Sequence, residues 1–220
     1  MILTYARFEL YLAGQTDDYT PNHMLGTGPG RFFLVNSTDH RVAVNCLGVG
    51  APATAAQIEL QAELGVQCFV VLGTAGGLTS DLSPGDIVVP TVAVRDDGTT
   101  DHYGDPAEPA VPDSLLSDGY ADFLIQQGRD VQRGPTWTTG APFRTTSAET
   151  MHYASHGVLT VEEEVATLFI VGAHRNVRTA AGLVVDGVAD SDGQWTVDQR
   201  RGGQVLQQLL QPTISYLASL

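Results

Sequence analysis

The stretch from Arg41 to Leu72 limits the possible folds more than any other part of the chain. Arg41 to Cys46 is apolar and strand-like, and Leu47-Gly-Val-Gly-Ala-Pro52 follows as a glycine loop. Ala53 to Leu64 reads as a helix. Pro52 suits a first helical turn, Ala55, Ile58, Ala62 and Leu64 fall roughly on one side, and Gly65 stops it. Cys68 to Leu72 is continuously apolar, as a strand buried on both faces is. Strand, glycine loop, helix and strand make a βαβ unit, which requires a largely parallel pairing joined by a right-handed crossover.

The same alternation runs on. Phe32 to Val35 and Arg41 to Cys46 read as a hairpin around Asn36 to Asp39. Ser83-Pro-Gly-Asp86 is a turn before a strand at Ile87 to Val94, in which Pro90 implies a bulge or an edge. Residues 95 to 114 form a long polar loop. Helices are expected over Leu115 to Gln127, Ser147 to Ser155, Glu164 to His174 and Val205 to Leu217, and strands over Val131 to Thr138, Val158 to Val161 and Thr179 to Val185. Residues 1 to 31 carry the weakest pattern: Ala6 to Ala13 suits a short helix or strand, and Gly14 to Gly30 reads as loop. With 220 residues, 43% of them hydrophobic, and no internal repeat or linker, one domain over 1–220 is expected, with 1–31 an atypical N-terminal segment.

Charge excludes several partners. A formal net charge of -14, with all eleven cations arginine, is unsuited to nucleic acid or an anionic membrane surface. No apolar run approaches the roughly 18 residues of a membrane span, and Met1 to Leu12 lacks the features of an export signal, so a cytoplasmic protein is expected. Cys46 and Cys68 sit in apolar segments and read as reduced core residues; no metal-ligand spacing occurs, and no cofactor is called for.

Chemistry-bearing residues gather where strands end. Gly73, Gly76 and Gly77 follow an apolar strand and allow backbone to approach a ligand, with the Thr74 hydroxyl among them; a tight turn without ligand is the alternative. Gly48 and Gly50 form a second such loop. Glu162, Glu163 and Glu164 lie between a strand and an apolar helix. They are either a solvated helix start or carboxylates suited to vicinal sugar hydroxyls, since an ionised carboxylate accepts two hydrogen bonds. Phe143 and Arg144 pair an aromatic with a fork of donors, suited to a planar base. His102 lies in the long polar loop, and Asp186 at a strand end can serve as a general acid if its pKa is raised.

Six stretches taken together resemble a known family. Leu47-Gly-Val-Gly-Ala-Pro52, Leu72-Gly-Thr-Ala-Gly-Gly-Leu78, Pro84-Gly-Asp-Ile-Val-Val-Pro90, Arg95-Asp-Asp-Gly-Thr-Thr-Asp-His-Tyr103, Trp137-Thr-Thr-Gly-Ala-Pro-Phe-Arg144 and Val161-Glu-Glu-Glu-Val-Ala-Thr-Leu-Phe169 resemble, in order and spacing, the nucleoside phosphorylase superfamily and its uridine phosphorylase-like branch. The resemblance covers about residues 32 to 195. It implies an α/β fold: a single domain whose mixed twisted sheet curls into a distorted barrel flanked by helices, assembled as a homo-oligomer. It further implies a small-molecule nucleoside or related ligand, with phosphate as a possible second substrate. Thr74 would touch ribose and phosphate, Glu164 the ribose hydroxyls, and Phe143 with Arg144 the base.

Departures from the pattern matter as much. The arginine that phosphorylases usually carry two residues before the Gly of Gly-Thr is Val71 here. The family's first strand and its Gly-Asp-Pro loop find no counterpart. The usual acid position is Gly187, with Asp186 displaced by one residue. Glu163 stands where the family has Met, and Gly140 where it has Asp. Three readings follow: a divergent enzyme cleaving the N-glycosidic bond without efficient use of phosphate, with Glu163 and Asp186 as its catalytic carboxylates; a catalytically inactive nucleoside-binding or partner subunit; or the same pocket recruited to a different reaction.

Overall fold

The computed structural model describes residues 1–5, 17–21, 32–39, 41–190 and 192–220. Its strands are β1 (Ile2–Tyr5), β2 (Tyr19–Pro21), β3 (Phe32–Val35), β4 (Ala43–Leu47), β5 (Cys68–Gly77), β6 (Ile87–Asp96), β7 (Val131–Thr139), β8 (Thr160–Glu162), β9 (Arg178–Ala189) and β10 (Trp195–Val197). Its helices are α1 (Ala51–Glu63), α2 (Ser114–Gln126), α3 (Ser147–Ser155), α4 (Val165–His174) and α5 (Gln199–Ala218). The strands form one mixed sheet in the order β10-β9-β6-β7-β8-β5-β1-β4-β3-β2, and β9 also pairs with β5. That last pairing closes β9, β6, β7, β8 and β5 into a barrel, so the expected barrel in a single α/β domain is present.

β5 shows why the sheet sits at the centre. Val70 and Leu72 point into a core cluster with Tyr120, Leu124, Leu209 and Ile214, contributed by α2 and α5. Phe69 and Val71 point the other way, into a cluster with Ile58, Val165, Leu168 and Phe169 from α1 and α4. Alternate side chains of one strand thus fill two cores, which requires the continuous apolar run that the sequence displays.

Three expectations are corrected. A strand does form ahead of Phe32: Ile2–Tyr5 lies parallel to both β4 and β5, with Leu3 opposite Val71. β2 forms inside the segment read as loop and pairs antiparallel with β3, whereas residues 6–16 and 22–31 lie outside the described residues. The glycines after Leu72 do not form a loop. β5 runs on to Gly77, and Gly73, Gly76 and Gly77 all have φ outside the left-handed region. They are held extended by pairing with β9 along their length and with β8 at Gly76 and Gly77.

Other elements follow their local signals. Asp113 caps α2, its carboxylate accepting from Leu116 N at 2.8 Å, and Thr146 with Glu149 forms a reciprocal capping box on α3. The Pro90 irregularity is a register shift against β7 between Pro90 and Ala93, in a strand that is not at an edge. β9 and α5 are longer than expected, and Arg95 explains the long polar loop. Its nearly buried guanidinium donates to the carbonyl oxygens of Thr100 (2.8 Å), Asp105 (2.5 Å) and Glu108 (3.1 Å). Among the described residues no helix is long and apolar enough to cross a membrane.

Candidate active site

A cavity of about 420 Å³ opens where β5, β7, β8 and β9 meet the loops that follow β4 and β7. Thr74, Ala75 and Gly76 of β5 form one wall, and Glu162, Glu163 and Glu164 another. Asp186, Trp195 and the side chains of Val49, Thr139, Pro142 and Thr145 contribute the rest. Four of these lining residues are carboxylates, and none of the described ones is Arg or Lys.

The three glutamates have different surroundings. Glu162 is 6% exposed and both of its oxygens are engaged by the chain. Oε1 accepts from the Thr138 hydroxyl at 2.5 Å, while Oε2 accepts from the backbone N–H of Glu164 at 2.6 Å and of Val165 at 2.7 Å. It therefore anchors the start of α4, where unpaired N–H groups and the helix dipole favour an anion. Glu164 Oε1 accepts from Gly50 N at 2.6 Å, which ties the loop after β4 to the carboxylate. Glu163 extends into the cavity and is half-buried.

Burial raises the pKa of each. Glu162 is pushed to about 7 by loss of water, against the pull of the Thr138, Glu164 and Val165 donors, with the charge of Asp97 adding to the rise. Glu164 is pushed to about 8, first by burial and then by the Glu162 charge, with the Gly50 N–H opposing. Three donors serve the ionised form of Glu162 against two for Glu164, the N–H groups of Gly50 and Glu163, so a proton shared by the pair is favoured on Glu164. Glu163 is raised by burial alone.

Asp186 reaches the cavity through a bulge. β5 and β9 pair residue for residue up to Ala75 opposite Val185, and then Gly76 faces Gly187, leaving Asp186 as the extra residue on β9. The bulge takes Asp186 out of the residue-for-residue pairing, and Asp186 lines the cavity. Burial raises its pKa, and a hydrogen bond from the Thr74 hydroxyl pulls in the opposite direction.

Other residues singled out in the sequence fall elsewhere. Phe143 and Arg144 lie on a 3-10 turn where Pro142 and Thr145 line the cavity, but Phe143 is 99% exposed and Arg144 is also exposed; neither is part of the lining. His102 sits exposed at the end of another 3-10 turn, apart from the cavity. Gly48 is exposed and Gly73 lies within β5; neither is in the lining, and Gly50 contributes through its N–H. Val71 is buried in the core rather than facing the cavity, so no side chain there reaches an anion. Gly140 has a packing cause: a Cβ would lie 2.9 Å from the carbonyl oxygen of Asp97.

Three features escaped the sequence reading. Thr138 donates to Glu162, Asp97 raises its pKa, and Trp195 lies against Gly76. The Thr-Thr pair ahead of Gly140 was visible as a motif, but nothing local indicated which glutamate it serves.

The model of the phosphorylase superfamily matches residues 8–211. The chain belongs to that superfamily. The match extends further toward both ends than the motifs alone and takes in most of α5. Among phosphorylase relatives, the guanosine phosphorylase of Halorubrum lacusprofundi is 29% identical over 140 residues, covering 64% of this chain and 58% of that protein. The uridine phosphorylase of Treponema pallidum is 32% identical over 157 residues, covering 66% and 61% respectively. The chain thus spans about three-fifths of the length of these curated relatives. The fold is shared with purine nucleoside phosphorylase from Toxoplasma gondii, solved in complex with immucillin-H, at a TM-score of 0.84 and 18% identity over 100% of this chain and 90% of that one. Uridine phosphorylase from Vibrio fischeri gives 0.77 and 19% over the same shares.

Proposed function

We propose that this superfamily member cleaves the N-glycosidic bond of a nucleoside with water, rather than phosphate, as the principal nucleophile. One observation carries the reading: Glu162, Glu163, Glu164 and Asp186 line a cavity whose described residues include no Arg or Lys. A phosphate dianion entering it would meet like charge and lack charge-assisted donors, each worth roughly 1.5–3 kcal/mol. Water carries no such penalty.

In this reading Glu164, protonated near neutral pH and fixed by Gly50 N–H, grips the ribose hydroxyls, both accepting and donating. The C1′–N bond breaks, its electron pair leaves with the base, and positive charge develops on the sugar beside the carboxylates, which stabilise it. Asp186, its pKa raised by burial, protonates the departing base. Glu163 takes one proton from the water whose oxygen bonds to C1′. The products are a free pentose and the neutral base, and returning the Glu163 proton to Asp186 through solvent resets the site.

The inactive-subunit reading draws on Gly187 occupying the usual acid position. The bulge that turns Asp186 into the cavity favours an active site instead. We extend the proposal to a homo-oligomer, in keeping with Phe143 at 99% and Val49 at 59% exposure beside the cavity. The test of the activity is release of free base from a panel of purine and pyrimidine nucleosides with and without phosphate. Equal rates support hydrolysis, and a strong phosphate requirement refutes it.

A further inference from the structure

The cavity holds an aromatic surface that the proposed chemistry leaves unused. Trp195 begins β10, which pairs antiparallel with the end of β9, Trp195 opposite Ala189 and Val197 opposite Gly187. The six-membered ring of its indole packs against β5, where a Cβ on Gly76 would sit 2.6 Å from both Cη2 and Cζ3. Glycine at position 76 is therefore what makes room for the ring. Trp195 lines the cavity and remains 40% exposed.

The arm that carries it is built to hold position. The Asp190 carboxylate accepts from Asp192 N at 2.9 Å and Gln194 N at 2.8 Å, and Asp190 N donates to Gln194 O at 2.8 Å, which closes the turn ahead of Trp195. At the tip, Gly193 has φ 74°, and a Cβ there would meet the Ser147 Oγ at 2.4 Å, so the turn is seated against the start of α3. A large apolar ring held beside four carboxylates, and left half in water, is a surface that a planar ligand group would cover.

We propose that Trp195 is the base-stacking platform of this cavity, and that it selects purine over pyrimidine nucleosides. The proposal rests on the nucleoside reading above. Phe143, the aromatic that the sequence offered for the base, is 99% exposed and outside the lining, which leaves Trp195 as the aromatic in the described lining. A bicyclic purine overlaps more of the indole than a pyrimidine does, so removing the ring costs purines more. The carboxylates and the Thr74 hydroxyl address the sugar and its leaving bond, and stacking supplies base affinity without a donor aimed at any one base edge.

The test uses the intact protein titrated with adenosine, inosine, uridine and ribose, read by tryptophan fluorescence and calorimetry, with turnover measured in parallel. Trp137, the other tryptophan, is 1% exposed and serves as an internal reference. We expect quenching by adenosine and inosine and little by ribose. Trp195→Leu should abolish the quench and raise the KM or Kd for purine nucleosides on the order of tenfold, with kcat little changed. Trp195→Phe should recover most of the affinity and controls for folding. Purine affinity unchanged in Trp195→Leu overturns the assignment, as does quenching by ribose alone. Saturable binding without turnover leaves the platform standing and removes the cleavage reading; no nucleoside binding to the unaltered protein removes both.

Discussion

At the scale of single residues, the site turns on where protons reside. Glu164 has a folded-state pKa near 8, raised from an ordinary carboxylate value by burial and by Glu162. Between these two values the unfolded chain has released a proton that the folded chain retains, so stability present at low pH is lost as pH rises through about 8. The slope is at most about 1.4 kcal/mol per pH unit for one retained proton. Thermal unfolding followed from pH 5 to 9 should show Tm falling, and Glu164→Gln, which cannot ionise, should flatten that fall; an unchanged slope in the variant would show that Glu164 is not the group responsible. The same substitution replaces the neutral carboxyl's O–H donor by an amide and so weakens the proposed grip on ribose by about one neutral hydrogen bond, which should lower kcat/KM by about 10-fold. For Asp186, replacement by Asn removes the acid while preserving shape. A drop in kcat of about 100-fold or more, with Tm close to that of the parent, is expected from the kinetics and melting curves of Asp186→Asn.

At the scale of elements, the barrel and the start of α4 position that chemistry. Thr138 on β7 donates to Glu162, which in turn accepts from the first N–H groups of α4. Thr138→Val leaves a buried carboxylate short of a donor and should destabilise the fold by about 1–3 kcal/mol, measured by urea unfolding. Arg95→Ala releases three carbonyls of the polar loop, and the effect should appear as faster amide exchange over residues 97–110. Legibility in the sequence also differed by element. The βαβ unit was readable because helix and strand periods each leave a mark over many residues. β1 was not, since four residues carry no period, and its burial comes from its place between β4 and β5, where Ile2 and Leu3 enter the two cores. Gly73 to Gly77 read as a loop because glycine is permissive, but neighbours on both sides of β5 hold it extended. Asp186 was identified by its place at a strand end, while the bulge that aims it is a property of register and was invisible. Phe143 stood out beside Arg144, whereas Trp195 stood alone in a polar stretch; folding turned the first outward and the second in.

For the whole molecule, a net charge of -14 in 220 residues sets the response to salt. Self-repulsion among surface carboxylates is screened as the Debye length shrinks from about 10 Å at 0.1 M to about 3 Å at 1 M, so Tm should rise over that range. A fall in Tm would mean that ion pairs such as Arg175 with Glu59 and Glu63 outweigh the repulsion. The acidity continues into the cavity, and there it bears on the reaction. In the proposed reading the cavity takes a nucleoside, and its carboxylate lining argues for water as nucleophile. The most direct measurement is the identity of the sugar product formed from a cleaved nucleoside in excess phosphate, followed by phosphorus NMR. Free pentose equal in amount to the released base, with no sugar phosphate signal, is the expected result. A pentose 1-phosphate resonance growing in step with the base would contradict it.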